Sequence, residues 1–117
     1  MSDDYLPVIK ADEIPLNGFR CVDAGEYAIV ICHTREGYFA LENRCSHARA
    51  RFDDGRLRGT RLMCPLHGAA FDVRTGAGTK PARWPVATFP CRVSDDGVIE
   101  VQVSEEFIAA ARPVRPM

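Results

Sequence analysis

Long apolar runs are missing from this chain. No stretch of its 117 residues approaches the roughly 18 to 20 consecutive apolar residues that cross a bilayer, so no membrane span is expected. The first ten residues, MSDDYLPVIK, open with acids and hold neither an apolar signal core nor a basic stretch, so neither a secretory signal nor a transit peptide is expected. Cysteines number five, an odd count, and Cys21, Cys32 and Cys91 follow no spacing. A disulfide framework is therefore not indicated, and a reducing cytoplasm is the expected setting. Excess charge is missing too. The net of −1 argues against a nucleic-acid partner. Histidine occurs three times and tryptophan once, so any pattern involving histidine carries weight.

What is present suits one folded domain. Hydrophobic residues make up 46% and charged residues 26%, an ordinary balance for a globular chain of this size. The mean charge hides a division. Residues 44–83 hold nine basic and three acidic side chains, a balance of +6, against six and thirteen, −7, in the remainder. In that basic stretch only Phe52 and Phe71 fall among the arginines before Trp84, which is poor material for stacking on bases.

Strand signals dominate. The apolar run Tyr27–Cys32 and the segment Tyr38–Leu41, parted by Arg35-Glu36-Gly37, predict a hairpin. Val86–Val93 and Val98–Val103 flank Ser94-Asp95-Asp96-Gly97 and predict a second. Asp53-Asp54-Gly55 marks a tight turn, with short strands around Leu57 and Leu62-Met63. Ala11–Ile14 is expected as one helical turn before Pro15, and Ser104 as the cap of a short helix from Glu105 that Pro113 stops. Many short strands with frequent turns predict an all-β fold, a small antiparallel β sandwich or barrel.

The chemistry-bearing residues sit in the basic middle. Cys45-Ser46-His47 and Cys64-Pro65-Leu66-His67 each pair one cysteine with one histidine at ligand-like spacing. Two buried cysteines beside surface histidines would be the bland explanation; coincidence at both spacings is rare with three histidines in the chain. A zinc site of two cysteines and two histidines is chemically possible. Structural zinc sites, however, usually draw cysteine pairs and histidine pairs from separate segments. One thiolate and one imidazole per segment suits a [2Fe–2S] cluster in which one iron takes both thiolates and the other both imidazoles.

These residues carry a resemblance. Asn43-Arg44-Cys45-Ser46-His47, Asp54-Gly55-Arg56-Leu57-Arg58-Gly59, Met63-Cys64-Pro65-Leu66-His67-Gly68-Ala69-Ala70-Phe71-Asp72 and Thr75-Gly76 resemble the Rieske [2Fe–2S] family. More narrowly they are similar to the small ferredoxins of bacterial ring-hydroxylating dioxygenase systems. The resemblance is specific over 43–82 and looser outside. It implies a single domain over 1–117, with an all-β base at 1–42 and 83–117 and an inserted cluster-binding subdomain at 43–82. It implies that Cys45 and Cys64 bind the inner iron and His47 and His67 the outer one. Pro81, in Thr79-Lys80-Pro81-Ala82, matches the loop that covers the cluster from a third side, with Trp84 packed beneath it.

The chain departs from the respiratory branch of that family. The extra cysteine of each cluster loop is replaced by Ala50 and Leu66, so no disulfide can join the loops. The hydroxyl-bearing positions after the second ligand pair hold Ala69 and Phe71. Donors near a cluster stabilise its reduced form, so their loss predicts a low potential. With four ligands used, His33 alone is left, too little for a mononuclear iron site of two histidines and a carboxylate. His33 is expected to be an ordinary strand-end residue, and Cys21, Cys32 and Cys91 core or strand residues.

The resemblance thus implies an electron carrier and not an enzyme, taking single electrons from a flavin-dependent NAD(P)H reductase to a terminal aromatic-ring-hydroxylating oxygenase. The alternative is an accessory subunit resembling the small subunit of assimilatory nitrite reductase. A monomer is expected. Ala48, Leu66 and Pro81 are the expected apolar contacts around the ligand histidines, ringed by Arg49 and Arg51, with the charge division orienting the molecule toward an acidic partner.

Overall fold

A computed structural model describes residues 5–44, 51–65, 69–79 and 85–111. Ten strands form three antiparallel sheets. The central sheet runs in the order β2 (Phe19–Ala24), β3 (Tyr27–Thr34), β4 (Gly37–Glu42) and β8 (Thr88–Phe89). A second sheet pairs β1 (Leu6–Lys10), β10 (Val98–Val101) and β9 (Cys91–Val93). The third joins β5 (Arg56–Arg58), β6 (Arg61–Met63) and β7 (Ala70–Asp72). A 3-10 turn occupies Ala11–Glu13, and one helix, α1 (Glu105–Ala111), follows the last strand.

The continuous apolar run of β3 has a reason in this arrangement. Successive side chains of a strand point to opposite faces, and both faces of β3 are covered. Val30 and Cys32 pack with Phe52, Leu62 and Phe71 of the third-sheet side. Ile29 and Ile31 pack with Ile99 and Val101 of the second sheet. The neighbouring strands obey the same parity: Cys21 lies opposite Val30, which lies opposite Leu41, while Val22 lies opposite Ile29. The central sheet is therefore the middle layer between two apolar cores. Buried on both sides, it reads as an unbroken hydrophobic strand.

Both expected hairpins form. β3 and β4 pair from Ile29–Glu42 to Thr34–Gly37, closing on Arg35-Glu36, and β9 and β10 flank the Ser94–Gly97 turn, where Gly97 N–H donates to the Ser94 carbonyl. The expected strand Val86–Val93, however, is two strands in two sheets. Pro90 has no N–H for a ladder; β8 ends before it on β4, and β9 begins after it on β10. β10 stops at Val101 rather than Val103, because Gln102 N–H donates to the Pro90 carbonyl instead. The helix at Glu105 is present, but Ser104 caps it only with its backbone carbonyl, which accepts from Phe107 N–H at 3.3 Å; its Oγ is buried without a partner. Pro113 lies outside the described residues. Strands β1, β2 and β7 escaped the sequence patterns, since β1 owes its pairing to β10, some ninety residues away. Among the described residues no helix is long and apolar enough to cross a membrane.

Ile31 is fully buried in the core between the central and second sheets. Ile31→Ala is expected to cost about 2–5 kcal/mol in urea unfolding, whereas Leu16→Ala, at a side chain 50% exposed, stays within about 0.5 kcal/mol.

Candidate metal centre

Of the four sequence-predicted ligands, Cys64 is described; Cys45, His47 and His67 lie outside the described residues, as do Ala48, Arg49, Ala50, Leu66, Pro81 and Trp84. What the structure defines is the base from which the ligand-bearing loops leave. Cys64 follows β6 directly, is 4% exposed, and its N–H donates to the Ala69 carbonyl at 2.7 Å. That bond closes the neck of the second loop.

The first loop is closed by a side chain. Asn43, 3% exposed, accepts a hydrogen bond at Oδ1 from Phe52 N–H (2.7 Å) and donates from Nδ2 to Asp53 Oδ1 (3.1 Å). Its own N–H donates to the Ala28 carbonyl at 2.9 Å. One amide thus fastens both ends of the segment carrying Cys45 and His47 to strand β3. The two necks adjoin. Gly55, in the turn closed by its N–H to the Phe52 carbonyl at 2.8 Å, lies so close to the Met63 carbonyl that a Cβ there would collide with it. Glycine therefore lets the exit of the first loop touch the residue before Cys64. Thr79 adds the third approach: its Oγ1 accepts from Ala70 N–H (3.0 Å) and its N–H donates to the Ala70 carbonyl (2.8 Å).

Beneath these necks the floor is apolar. Phe52, Leu62, Ala69 and Phe71 are each fully buried, with the Phe52 and Phe71 rings edge to face at 5.6 Å. A buried cysteine, two tied loop necks and a dry floor fit a metal group held by soft thiolate and imidazole donors, whose redox properties follow from burial and the surrounding donors.

Comparison with known proteins decides the family. The Rieske [2Fe-2S] domain profile matches residues 4–90. The chain belongs to the Rieske family. A Rieske domain carries a [2Fe–2S] cluster, so the expected cofactor class stands and zinc does not. The ferredoxin subunit of 3-phenylpropionate/cinnamic acid dioxygenase from Photorhabdus laumondii is 41% identical over 105 residues, covering 86% of this chain and 96% of that one. The solved ferredoxin of carbazole 1,9a-dioxygenase from Nocardioides aromaticivorans is 29% identical with a TM-score of 0.79, over 85% of this chain and 97% of its own. A chain in the complex of reduced oxygenase and oxidized ferredoxin of carbazole 1,9a-dioxygenase gives a TM-score of 0.77 at 28% identity, over 86% and 94%.

The remaining candidates in this Rieske domain have structural duties. The ring of His33 stacks on Tyr38 at 4.1 Å, and its Nδ1 donates to the Ile14 carbonyl at 2.9 Å. Burial pushes the Cys32 thiol up to about 12 and the Cys91 thiol up to about 11. Burial, aided by the Asp53 carboxylate, takes Cys21 to about 11. Arg51, one of the two arginines expected to ring the apolar contacts, pairs with Asp53 (Nε–Oδ1 3.0 Å); that pairing, with the Asn43 amide, holds the Asp53 carboxyl below its ordinary range. The roles of Asn43 and Thr79 are not legible in the sequence, because their partners lie nine or ten residues away along the chain.

Asn43→Ala leaves the buried Phe52 N–H without its acceptor and is expected to cost about 1–3 kcal/mol, with faster hydrogen exchange at Phe52. The thiols give a pH test. A thiol whose folded pKa lies above its unfolded value near 8.5 stabilises the fold fully below that value, and the contribution fades as pH rises toward the folded pKa. Stability should therefore fall from about pH 8.5 upward, and iodoacetamide at pH 8 should label Cys21, Cys32 and Cys91 in the unfolded chain but not the native one, as read by peptide mass mapping.

Proposed function

We propose that this Rieske protein is the ferredoxin component of an aromatic-ring-hydroxylating dioxygenase system, carrying single electrons from a flavin-dependent NAD(P)H reductase to a terminal oxygenase. It is an electron carrier and not an enzyme. The observation that carries this reading is extent: the 41% identity runs along 96% of a dioxygenase ferredoxin subunit, matching that small carrier almost end to end. The shared fold with a chain of a solved oxygenase–ferredoxin complex supports the oxygenase as partner. Reductase, cytoplasmic setting and monomeric state complete the proposal.

The ligands are Cys45, His47, Cys64 and His67, held by the subdomain 43–82 on the base formed by 1–42 and 83–117. A bound [2Fe–2S] cluster of this type supplies one-electron redox chemistry. The chain's own residues then set its surroundings. Asn43 and the Cys64–Ala69 bond keep the loop necks in place, so that little reorganisation accompanies a change of charge. Ala69 and Phe71 are buried and carry no side-chain donor, which favours the oxidised form.

Purified protein should contain two irons and two acid-labile sulfides per chain, with a Rieske-type visible spectrum; a colourless protein with one zinc overturns the proposal. His47→Cys should shift that spectrum toward the all-cysteine type. The midpoint should lie near the low end of the Rieske range, about −150 mV. Ala69→Ser with Phe71→Tyr should raise it in spectroelectrochemical titration. Reconstitution with reductase, oxygenase and aromatic substrate should give product only when the ferredoxin is present.

A further inference from the structure

The outward face of the β5–β6–β7 sheet carries a charge arrangement that the fold does not use. Register places Arg56, Met63 and Ala70 side by side in one row, and Arg58, Arg61 and Asp72 in the next. Leu57, Leu62 and Phe71 point the other way, into the core. The three arginines are exposed and surround a shallow depression of about 580 Å³ floored by Met63 and Ala70. Arg58 and Arg61 stand directly opposite each other, and like charges at directly opposed strand positions repel. The neighbouring carboxylate, Asp72, stands opposite Arg61 but is shared with Arg74. Asp72 is engaged by Arg74 through two hydrogen bonds, Nε–Oδ1 at 3.0 Å and Nη2–Oδ2 at 2.9 Å. Among the described residues the ion pairs go to Arg51, Arg74 and Arg92, and none reaches Arg56, Arg58 or Arg61. Three exposed guanidiniums on one small sheet, two of them directly opposed, make this face basic.

We propose that the Arg56–Arg58–Arg61 face is a docking surface for a carboxylate-lined face of a redox partner, an inference that rests on the ferredoxin reading above. Charge complementarity names the occupant. Arginine forks match carboxylates in bidentate pairs, and arginine and methionine are enriched at the centres of protein interfaces. Among the described residues of these three strands, no aromatic ring stands on this face for a base to stack on. Position serves the same end: the row includes Met63, the residue immediately before Cys64.

The test uses the cluster-loaded protein, its reductase and its oxygenase, with R58Q/R61Q and the charge-keeping R58K/R61K. Unchanged visible spectra establish that both variants fold and hold the cluster. In stopped-flow electron transfer at low salt, R58Q/R61Q should lower the second-order rate with at least one partner by roughly three- to ten-fold and flatten its salt dependence, while R58K/R61K recovers most of the rate. Rates equal to wild type with both partners at every salt concentration overturn the proposal and leave the ferredoxin reading intact. A second arm needs no partner: poly-L-glutamate should bind the wild type and release R58Q/R61Q at lower salt. Should wild type fail to support the oxygenase yet show this arginine-dependent binding, the ferredoxin reading falls and the acidic-ligand surface stands. Equal binding by both proteins, or a tighter hold on single-stranded DNA than on poly-L-glutamate, overturns it.

Discussion

Two loop necks have to be held against each other on a dry floor, and the buried amide of Asn43 is the interaction on which that depends. It ties the start of the first ligand-bearing loop to its end at Phe52, while its backbone N–H anchors the junction to β3. Phe52 then meets Phe71 beneath the second loop, and Gly55 lets the exit of the first loop rest on the Met63 carbonyl. Take the amide away and the first loop loses its closure at Phe52.

The layering explains why such a site can be rigid in a small protein. The central sheet is buried on both faces, so the β5–β6–β7 sheet does not rest on solvent-backed strands. It rests on a sheet already stiffened from behind by Ile99, Val101 and the residues packed with them. Interiors at this density do not yield by small displacements. Electron carriers benefit from that stiffness, because a change of one charge then moves few atoms.

Charge follows a different logic from packing. The basic stretch 44–83 looks uniform along the chain, yet the fold sorts it into groups with separate fates. Arg74 bridges Asp72 and Glu36, Arg51 holds Asp53, and the arginines of β5 and β6 are gathered, exposed, on one face. Net charge counts all of these alike. Only their neighbours tell a structural arginine from one available to a partner.

The sequence by itself determined the chemistry and much of the local structure. Cysteine and histidine at fixed short offsets mark the candidate ligands, and the turn-forming Ser94–Gly97 and Arg35–Glu36 segments specify their hairpins, because both signals act over a few residues. Tertiary structure decided the rest. That β8 and β9 belong to different sheets turns on Pro90 and on which strand edge lies nearest each half. That β1 is a strand depends on β10, at the other end of the chain. That Asn43 and Thr79 fasten loop necks, and that Arg58 faces Arg61 with Asp72 already engaged, depends on partners brought together by packing. A hydrogen bond or a repulsion between residues distant in sequence exists only once burial has placed them a few ångströms apart.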